Sequence, residues 1–375
     1  MVKVAVAGGS SPTLGHSVVT ALLSTDGRHT PVILSRQKDP TQTSSGQFTT
    51  TKTTFPLLLS SSSYPQSNQL DSEIEVETRH VDYTSTDCLI AALHDIDTVI
   101  SVLLIPNPPL FVQAQLNLLT AAEAAGCRRF APSEFALPYH AHAHVDFDAA
   151  VKVPVWQEII SRPSAALDVA LFPCGMFMNY LGIGCPGGKD GRNRAAALAG
   201  FAEGPFLFHL EEGWVEVPVL QAAEASSDTD NAADIYPLVT ATDIRDVGRF
   251  VVAAIDLEEP WAGRELGMAG STMRFDEVVQ LCEKYTGRSL EVRRVTRHQL
   301  EARLRGIPSD LVEGIIPRME CQLSMVYCDG NGHVDPVLNR LCPWIRPTTV
   351  EAFLKKYWTS AGAADGTNLQ EETGK

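Results

Sequence analysis

The stretch Val4-Ala5-Val6-Ala7-Gly8-Gly9-Ser10-Ser11-Pro12-Thr13-Leu14-Gly15 places glycines between an apolar run and a helix-forming run. Glycine lets a backbone approach a pyrophosphate, and a helix N-terminus offers unpaired N–H groups at the positive end of a dipole. Gly8, Gly9, Ser11, Thr13, Leu14 and Gly15 are therefore candidate phosphate-binding residues. Gly9 and Gly15 keep the separation of a GxxGxxG turn, but Pro12 stands where the middle glycine would be. The rival reading is an ordinary strand–turn–helix joint. A second apolar run ends in Arg36, followed by Lys38. An acidic residue at the end of the second strand takes the ribose hydroxyl of NAD and repels a 2′-phosphate, whereas a guanidinium pairs with one. Arg36 and Lys38 therefore point to NADPH, against the rival of a solvated surface arginine. His140, His142 and His144 alternate with alanines. On an extended segment they would share a face and could hold a metal. With only Asp146 and Asp148 as nearby acids, the expectation is no metal, and a place for the run at the mouth of a site.

A frame must hold these residues. Residues 2–7, 31–36, 74–81, 98–104, 129–131 and 168–172 read as strands. Residues 16–23, 87–93, 110–125 and 149–161 read as helices, with Gly126 as a stop signal and Pro154 near the start of the last. Strands alternating with helices imply an α/β fold, a Rossmann-type doubly wound parallel sheet. Residues 37–72, rich in Ser and Thr, read as a mobile surface insertion, and 221–234 as another. The expected division is a dinucleotide domain over 1–174, with 238–258 returning to it. A smaller C-terminal substrate-binding region over 175–237 and 259–358 follows, then a loose tail over 359–375. In an open α/β sheet ligands collect at the carboxyl ends of the strands, so that region is the expected wall of a cleft.

The 375 residues are 44% hydrophobic and 20% charged, enough to bury a real core, with a formal net charge of −15. An acidic surface repels phosphate backbones, so no nucleic-acid partner is expected. The N-terminus lacks the pattern of a signal peptide, and the longest apolar stretch, 169–184, is interrupted by Pro173 and Asn179 and too short to span a bilayer. Eight scattered cysteines form no CxxC pair, which implies reduced buried thiols, no disulfide framework and no structural zinc. The expectation is a cytoplasmic protein with no membrane partner and a small-molecule substrate; monomer and homodimer stay open.

The glycine turn is followed by Asp82-Tyr83, by Asp97-Thr98-Val99-Ile100-Ser101, and by Arg128-Arg129-Phe130-Ala131-Pro132-Ser133-Glu134-Phe135. Further on come Gly175-Met176-Phe177, Thr242-Asp243-Ile244-Arg245-Asp246-Val247-Gly248-Arg249-Phe250 and Val350-Glu351-Ala352-Phe353-Leu354-Lys355-Lys356-Tyr357-Trp358. Together these resemble the NmrA-like family of atypical short-chain dehydrogenases, over most of residues 1–358. The Arg-Arg-Phe-Ala-Pro-Ser-Glu-Phe stretch is the most specific element and resembles the isoflavone-reductase-like branch. The resemblance implies an NADPH-dependent reductase that transfers hydride to a small aromatic, phenolic or polyketide-like molecule. It makes Lys152 the counterpart of the lysine that family reductases place near the nicotinamide ribose. A lysine in a half-dry cleft is expected to have a lowered pKa and to move protons. Asp148 stands four before Lys152, where short-chain dehydrogenases carry a tyrosine, and the rival reading is a solvated i,i+4 ion pair. The resemblance also sets Pro132, Ser133 and Phe135 beside the nicotinamide. Glu134, His140, Gly175, Met176 and Phe177 fall to the substrate side, with core packing as the rival for the last two. No C-terminal histidine matches the one some plant relatives use, and His333 lies in a Gly-Asn-Gly loop, so the proton donor stays unassigned. The alternative function is a non-catalytic NADP(H) redox sensor of the NmrA type.

Overall fold

Val4 to Ala7 and Val32 to Leu34 are completely buried, with no in–out alternation. A strand covered on both faces has this character, and it forces these segments to the centre of a parallel sheet. The computed structural model describes residues 2–37, 46–57, 72–162, 167–188, 191–220, 236–309 and 314–359. It divides into two compact units, the first made of Met1–Gly175, Ile244–Ala269 and Val334–Arg346.

The first unit holds an eight-stranded sheet. Its strands are β1 (Val2–Ala7), β2 (His29–Arg36), β3 (Thr49–Leu57), β4 (Ser72–Val81), β5 (Thr98–Ser101), β6 (Arg129–Ala131), β7 (Asp168–Leu171) and β12 (Arg264–Glu265), in the order β12-β7-β6-β5-β1-β2-β4-β3. Every pairing is parallel except β3 on β4. Chain order runs outward from β1 in both directions, save that β3 lies outside β4, so the topological switch point falls between β1 and β5, where such sheets open a crevice for ligands. The fold class is the Rossmann-type α/β arrangement expected.

Helix α1 (Leu14–Leu23) packs on helix α7 (Ile244–Ile255), which comes from far down the chain. A Cβ at Gly248 would lie 2.4 Å from Ser17 Oγ and 2.5 Å from Ser17 O. That approach explains the glycine in the Asp-Val-Gly-Arg stretch. Ser17 Oγ donates to Ile244 O at 2.6 Å. Arg129 is 2% exposed and donates to the carbonyls of Ala254 (3.0 Å), Ile255 (2.6 Å), Leu257 (2.8 Å) and Glu259 (3.1 Å). Its guanidinium lies over Trp261 and beside Asp168. The carbonyls at the end of α7 lack intrahelical partners, and a cation there also meets the negative end of the dipole. This arginine of the Arg-Arg-Phe stretch holds the fold together.

The second unit comprises Met176–Asp243, Gly270–His333 and Pro347–Lys375. It carries two three-stranded sheets. One is β14 (Glu291–Val295), β10 (Trp214–Pro218) and β9 (Phe208–His209); the other is β13 (Ser271–Arg274), β11 (Leu238–Thr242) and β8 (Met176–Phe177). Its core gathers Met178, Phe208, Val239, Phe275 and Phe353.

Several expectations need correction. The insertion over 37–72 contains β3: the Thr-rich run 49–54 is β-branched, which favours a pleated edge strand over a loop. The strand expected over 98–104 ends at Ser101; Leu104 is 78% exposed, because the chain leaves the sheet at its carboxyl edge. Residues 238–243 belong to the second unit, while 259–269 and 334–346 belong to the first. The helix expected from Ala149 begins at Asp146, which puts Pro154 inside it. Lys38, the insertion 221–234 and the tail beyond Thr359 lie outside the described residues.

Candidate active site

The turn after β1 is shaped by steric need. Gly8 has φ +84°, and a Cβ on it would meet Val102 O at 3.0 Å, across the switch point. A Cβ on Gly15 would stand 2.3 Å from Gly8 O, so only glycine lets α1 start this close to the turn. Ser11 and Thr13 share a hydroxyl hydrogen bond of 2.9 Å, and Thr13 N–H donates weakly to Ser11 Oγ at 3.4 Å. No side chain caps the first turn of α1. His16 N–H is taken by Ser11 O at 2.8 Å, so the N–H groups of Leu14 and Gly15 are the ones this helix start would offer to an anion. Leu34 O accepts from Gly8 N–H at 3.1 Å and from the Tyr83 hydroxyl at 2.9 Å. The ends of β1, β2 and β4 are thereby tied, and burial pushes the Tyr83 phenol up. Arg36 closes β2 with an exposed side chain.

On the other side of the switch point, Ser133 Oγ donates to Leu103 O at 3.0 Å, and Ser133 N–H to Gln115 Oε1 at 3.3 Å. Gln115 Nε2 in turn donates to Ser101 Oγ at 2.8 Å. The Pro-Ser-Glu-Phe segment is pinned to the end of β5. Phe135 is 6% exposed and stacks on Phe172 at 6.1 Å. Pro132 is buried. Gly175 has φ +69° and donates its N–H to Ala136 O at 2.9 Å. In the second unit, Met176 is a core residue and Phe177 meets Phe201 edge-on at 6.3 Å, in line with the packing reading for both.

A chain of ionisable groups runs behind this segment. Lys152, on α5 (Asp146–Ser161), places Nζ 3.4 Å from Asp148 Oδ1, one turn earlier, and the two side chains are only 13% and 8% exposed. The reading of a solvated ion pair is therefore corrected. Asp148 Oδ2 lies 2.9 Å from His142 Nδ1. His142 Nε2 lies 3.3 Å from Glu134 Oε2, with side chains 1% and 3% exposed. Burial, reinforced by Asp148 and Glu265 against Lys152, pushes the Glu134 carboxyl up to about 8. Burial and the Lys152 charge move His142 down, against the pull of Asp148. For Asp148, burial works upward, but Lys152 and His142 outweigh it and the pKa falls. Burial works to lower Lys152, yet the Asp148 and Glu134 carboxylates outweigh it and the pKa rises. The expected lowering of Lys152 is thus corrected: its partners hold it charged.

The histidine run is not extended. Residues Tyr139–His142 form a helical turn, α4, and His140 and His144 face solvent while His142 is buried. Pro138, Ala141, His142 and Val145 are the buried positions. That i, i+3, i+4, i+7 spacing is the signal that would have singled out His142. His140 joins no site contact among the described residues, and Glu134, expected to face substrate, turns inward. No group of three or more metal-capable side chains occurs among the described residues, and no described helix is long and apolar enough to cross a membrane.

Glu134 gives a stability test. Its folded pKa, about 8, lies above the ordinary 4.5, so its contribution is complete below pH 4.5 and fades as pH rises through 8. His142, lowered from 6.5, opposes this trend only below that value. His16 and His209, lowered in the same sense as His142, also act below 6.5, so between about pH 6.5 and 8 Glu134 supplies the resolved downward slope among the described residues. Urea denaturation of the wild type should show stability falling across this window, and Glu134→Gln should flatten the fall. An equal fall in both proteins would refute the assignment.

Residues 226–354 match the NmrA-like family. Oxidoreductase BOA1 of Botryotinia fuckeliana (strain B05.10) is 28% identical over 294 residues, spanning 76% of this chain and 77% of that protein. The structure of AtPrR2 with NADP+ and (+)pinoresinol superposes with a TM-score of 0.62 at 18% identity, covering 94% of this chain and 98% of that one. The ternary complex of leucoanthocyanidin reductase from Vitis vinifera gives 0.59 at 15% identity, again covering 94% and 98%. At such identities these two structures speak for the fold alone.

Proposed function

We propose that this chain is an NADPH-dependent reductase of the isoflavone-reductase-like branch of the NmrA-like family, acting on a small aromatic, phenolic or polyketide-like electrophile. The observation that carries the reading is Lys152, held charged by buried acids in the same unit as an uncapped, glycine-shaped helix start. The residues fit a dinucleotide. The α1 N-terminus offers N–H groups to a diphosphate, Gly8, Gly9 and Gly15 keep the turn free of side chains, and Arg36 offers a guanidinium to a 2′-phosphate. NADPH, when bound, supplies the hydride. Lys152 orients the ribose hydroxyls and gives a proton from Nζ to the oxygen that gains charge on the substrate. Ser133, pinned to Leu103 O, fixes the segment that borders the nicotinamide. BOA1 carries the word oxidoreductase in its name, and the AtPrR2 structure holds NADP+ and (+)pinoresinol; both favour this reading.

The test is a fluorescence titration with NADPH and NADH, followed by turnover assays with enones, quinones and benzylic ethers. NADPH should bind more tightly than NADH. Arg36→Glu should weaken NADPH by about 10–100-fold, the worth of a charge-assisted pair, and leave NADH almost unchanged. Tight NADPH binding with no consumption of any acceptor would turn the reading towards a redox sensor. No binding of either coenzyme would end both.

A further inference from the structure

We propose that Glu134 and His142 are a buried proton store that recharges Lys152 through Asp148. The inference rests on the reductase reading for its use, and on geometry for its existence. Asp148, held as the carboxylate, can only accept, so His142 Nδ1, 2.9 Å from Oδ2, carries a hydrogen. His142 Nε2 then faces Glu134 Oε2 at 3.3 Å. That oxygen is buried and makes no hydrogen bond as the groups stand. Two bare lone pairs facing each other in a dry site repel, and an unsatisfied buried acceptor costs about 1–3 kcal/mol. One proton between the two atoms removes both penalties. Burial places it on the carboxyl, since an uncharged acid and an uncharged imidazole are cheaper to bury than two ions.

The surroundings keep the proton there. Glu134 follows β6; Tyr139, His140 and His142 lie on α4; Asp148 and Lys152 on α5; Cys174 follows β7; Glu265 is on β12. Burial pushes the Tyr139 phenol up, with Glu134 reinforcing it. Burial pushes the Cys174 thiol up to about 12. Neither competes near neutral pH. When Lys152 has given a proton to substrate it is left as a neutral amine. His142 Nδ1–H then passes its proton to Asp148 Oδ2, Asp148 passes one on to Lys152 Nζ, and Glu134 O–H protonates His142 Nε2. The imidazole ends neutral in its other tautomer. Lys152 is again charged, Asp148 is again a carboxylate, and Glu134 has become the carboxylate. One proton has moved and no electron has. A proton from solvent then returns to Glu134, and the histidine tautomer resets.

The first test needs no coenzyme. Infrared spectra of the chain alone at pH 7 should show the C=O stretch of a protonated carboxylic acid, shifted in D2O and absent in Glu134→Gln. In the wild type the band should fade as pH is raised through about 8, which decides the point even if the variant does not fold. The second test uses NADPH with 9,10-phenanthrenequinone. Glu134→Gln and His142→Gln should keep the first turnover and slow the steady state about 10–100-fold, a fraction of what general acid–base groups supply. NADPH affinity should stay unchanged, which serves as the folding control. No acid band at pH 7, or wild-type steady-state rates in both variants, overturns the proposal. A band without any wild-type turnover supports the stored proton, and overturns the reductase reading and the recharging role together.

Discussion

Replacing Gly15 by valine should abolish coenzyme binding and destabilise the chain by about 3 kcal/mol or more. A Cβ at this position would stand 2.3 Å from Gly8 O and 3.0 Å from Gly9 C. Both neighbours are backbone, so no side-chain rotation relieves the contact. The helix must slide away from the turn, and the N–H groups proposed to hold a diphosphate move with it. Coenzyme titration should show no saturation, and thermal melting should fall by several degrees. Gly9→Ala is the milder comparison, with contacts of 3.0 Å to Val6 O and 3.1 Å to Ile33 Cγ1. Wild-type melting and affinity in Gly15→Val would show that the turn is not built for close approach.

Lys152→Met should reduce turnover by about 10²–10⁴-fold, the range of a lost acid–base group. Coenzyme affinity should fall only a few-fold. Stability should fall as well, because Asp148 keeps a charge in a side chain only 8% exposed. Breaking a buried pair from one side costs about 3–5 kcal/mol. The double variant Asp148→Asn with Lys152→Met separates the two effects: removing the orphaned charge should restore much of the stability and none of the turnover. Recovery of turnover in the double variant would mean that Lys152 acts only as a structural counter-ion.

The parallel sheet was legible because its strands are continuous apolar runs and its helices carry ordinary stop signals. The turn was legible as a close backbone approach, and the contacts a Cβ would make at Gly8 and Gly15 account for those two glycines. The edge strand β3 was not: its threonines and lysine have the β-branched character of a strand but lie in a polar, serine-rich stretch that reads as loop. The sign of the Lys152 shift was also hidden. From sequence, only Asp148 could be placed near it, one helical turn away. Glu134 lies 18 positions earlier, and its approach depends on α4 folding back so that His142 reaches both acids. The three histidines look equivalent in the sequence, and only the helical turn through Tyr139–His142 separates the buried one from the exposed two. Arg129 has the same lesson, since the carbonyls it collects come from residues 254–259, which no local pattern links to it.

The pairing of α1 with α7, sealed by Gly248 against Ser17 and by the Arg129 knot, has a consequence for synthesis. While the first 175 residues leave the ribosome, one face of their sheet still lacks its covering helix. Segments reaching to residue 346 are needed before this unit is complete. At about 5–20 residues per second, that leaves apolar surface open for on the order of ten to thirty seconds. The nascent chain is a natural client for chaperones during that interval, and a fragment cut at residue 175 should precipitate rather than fold.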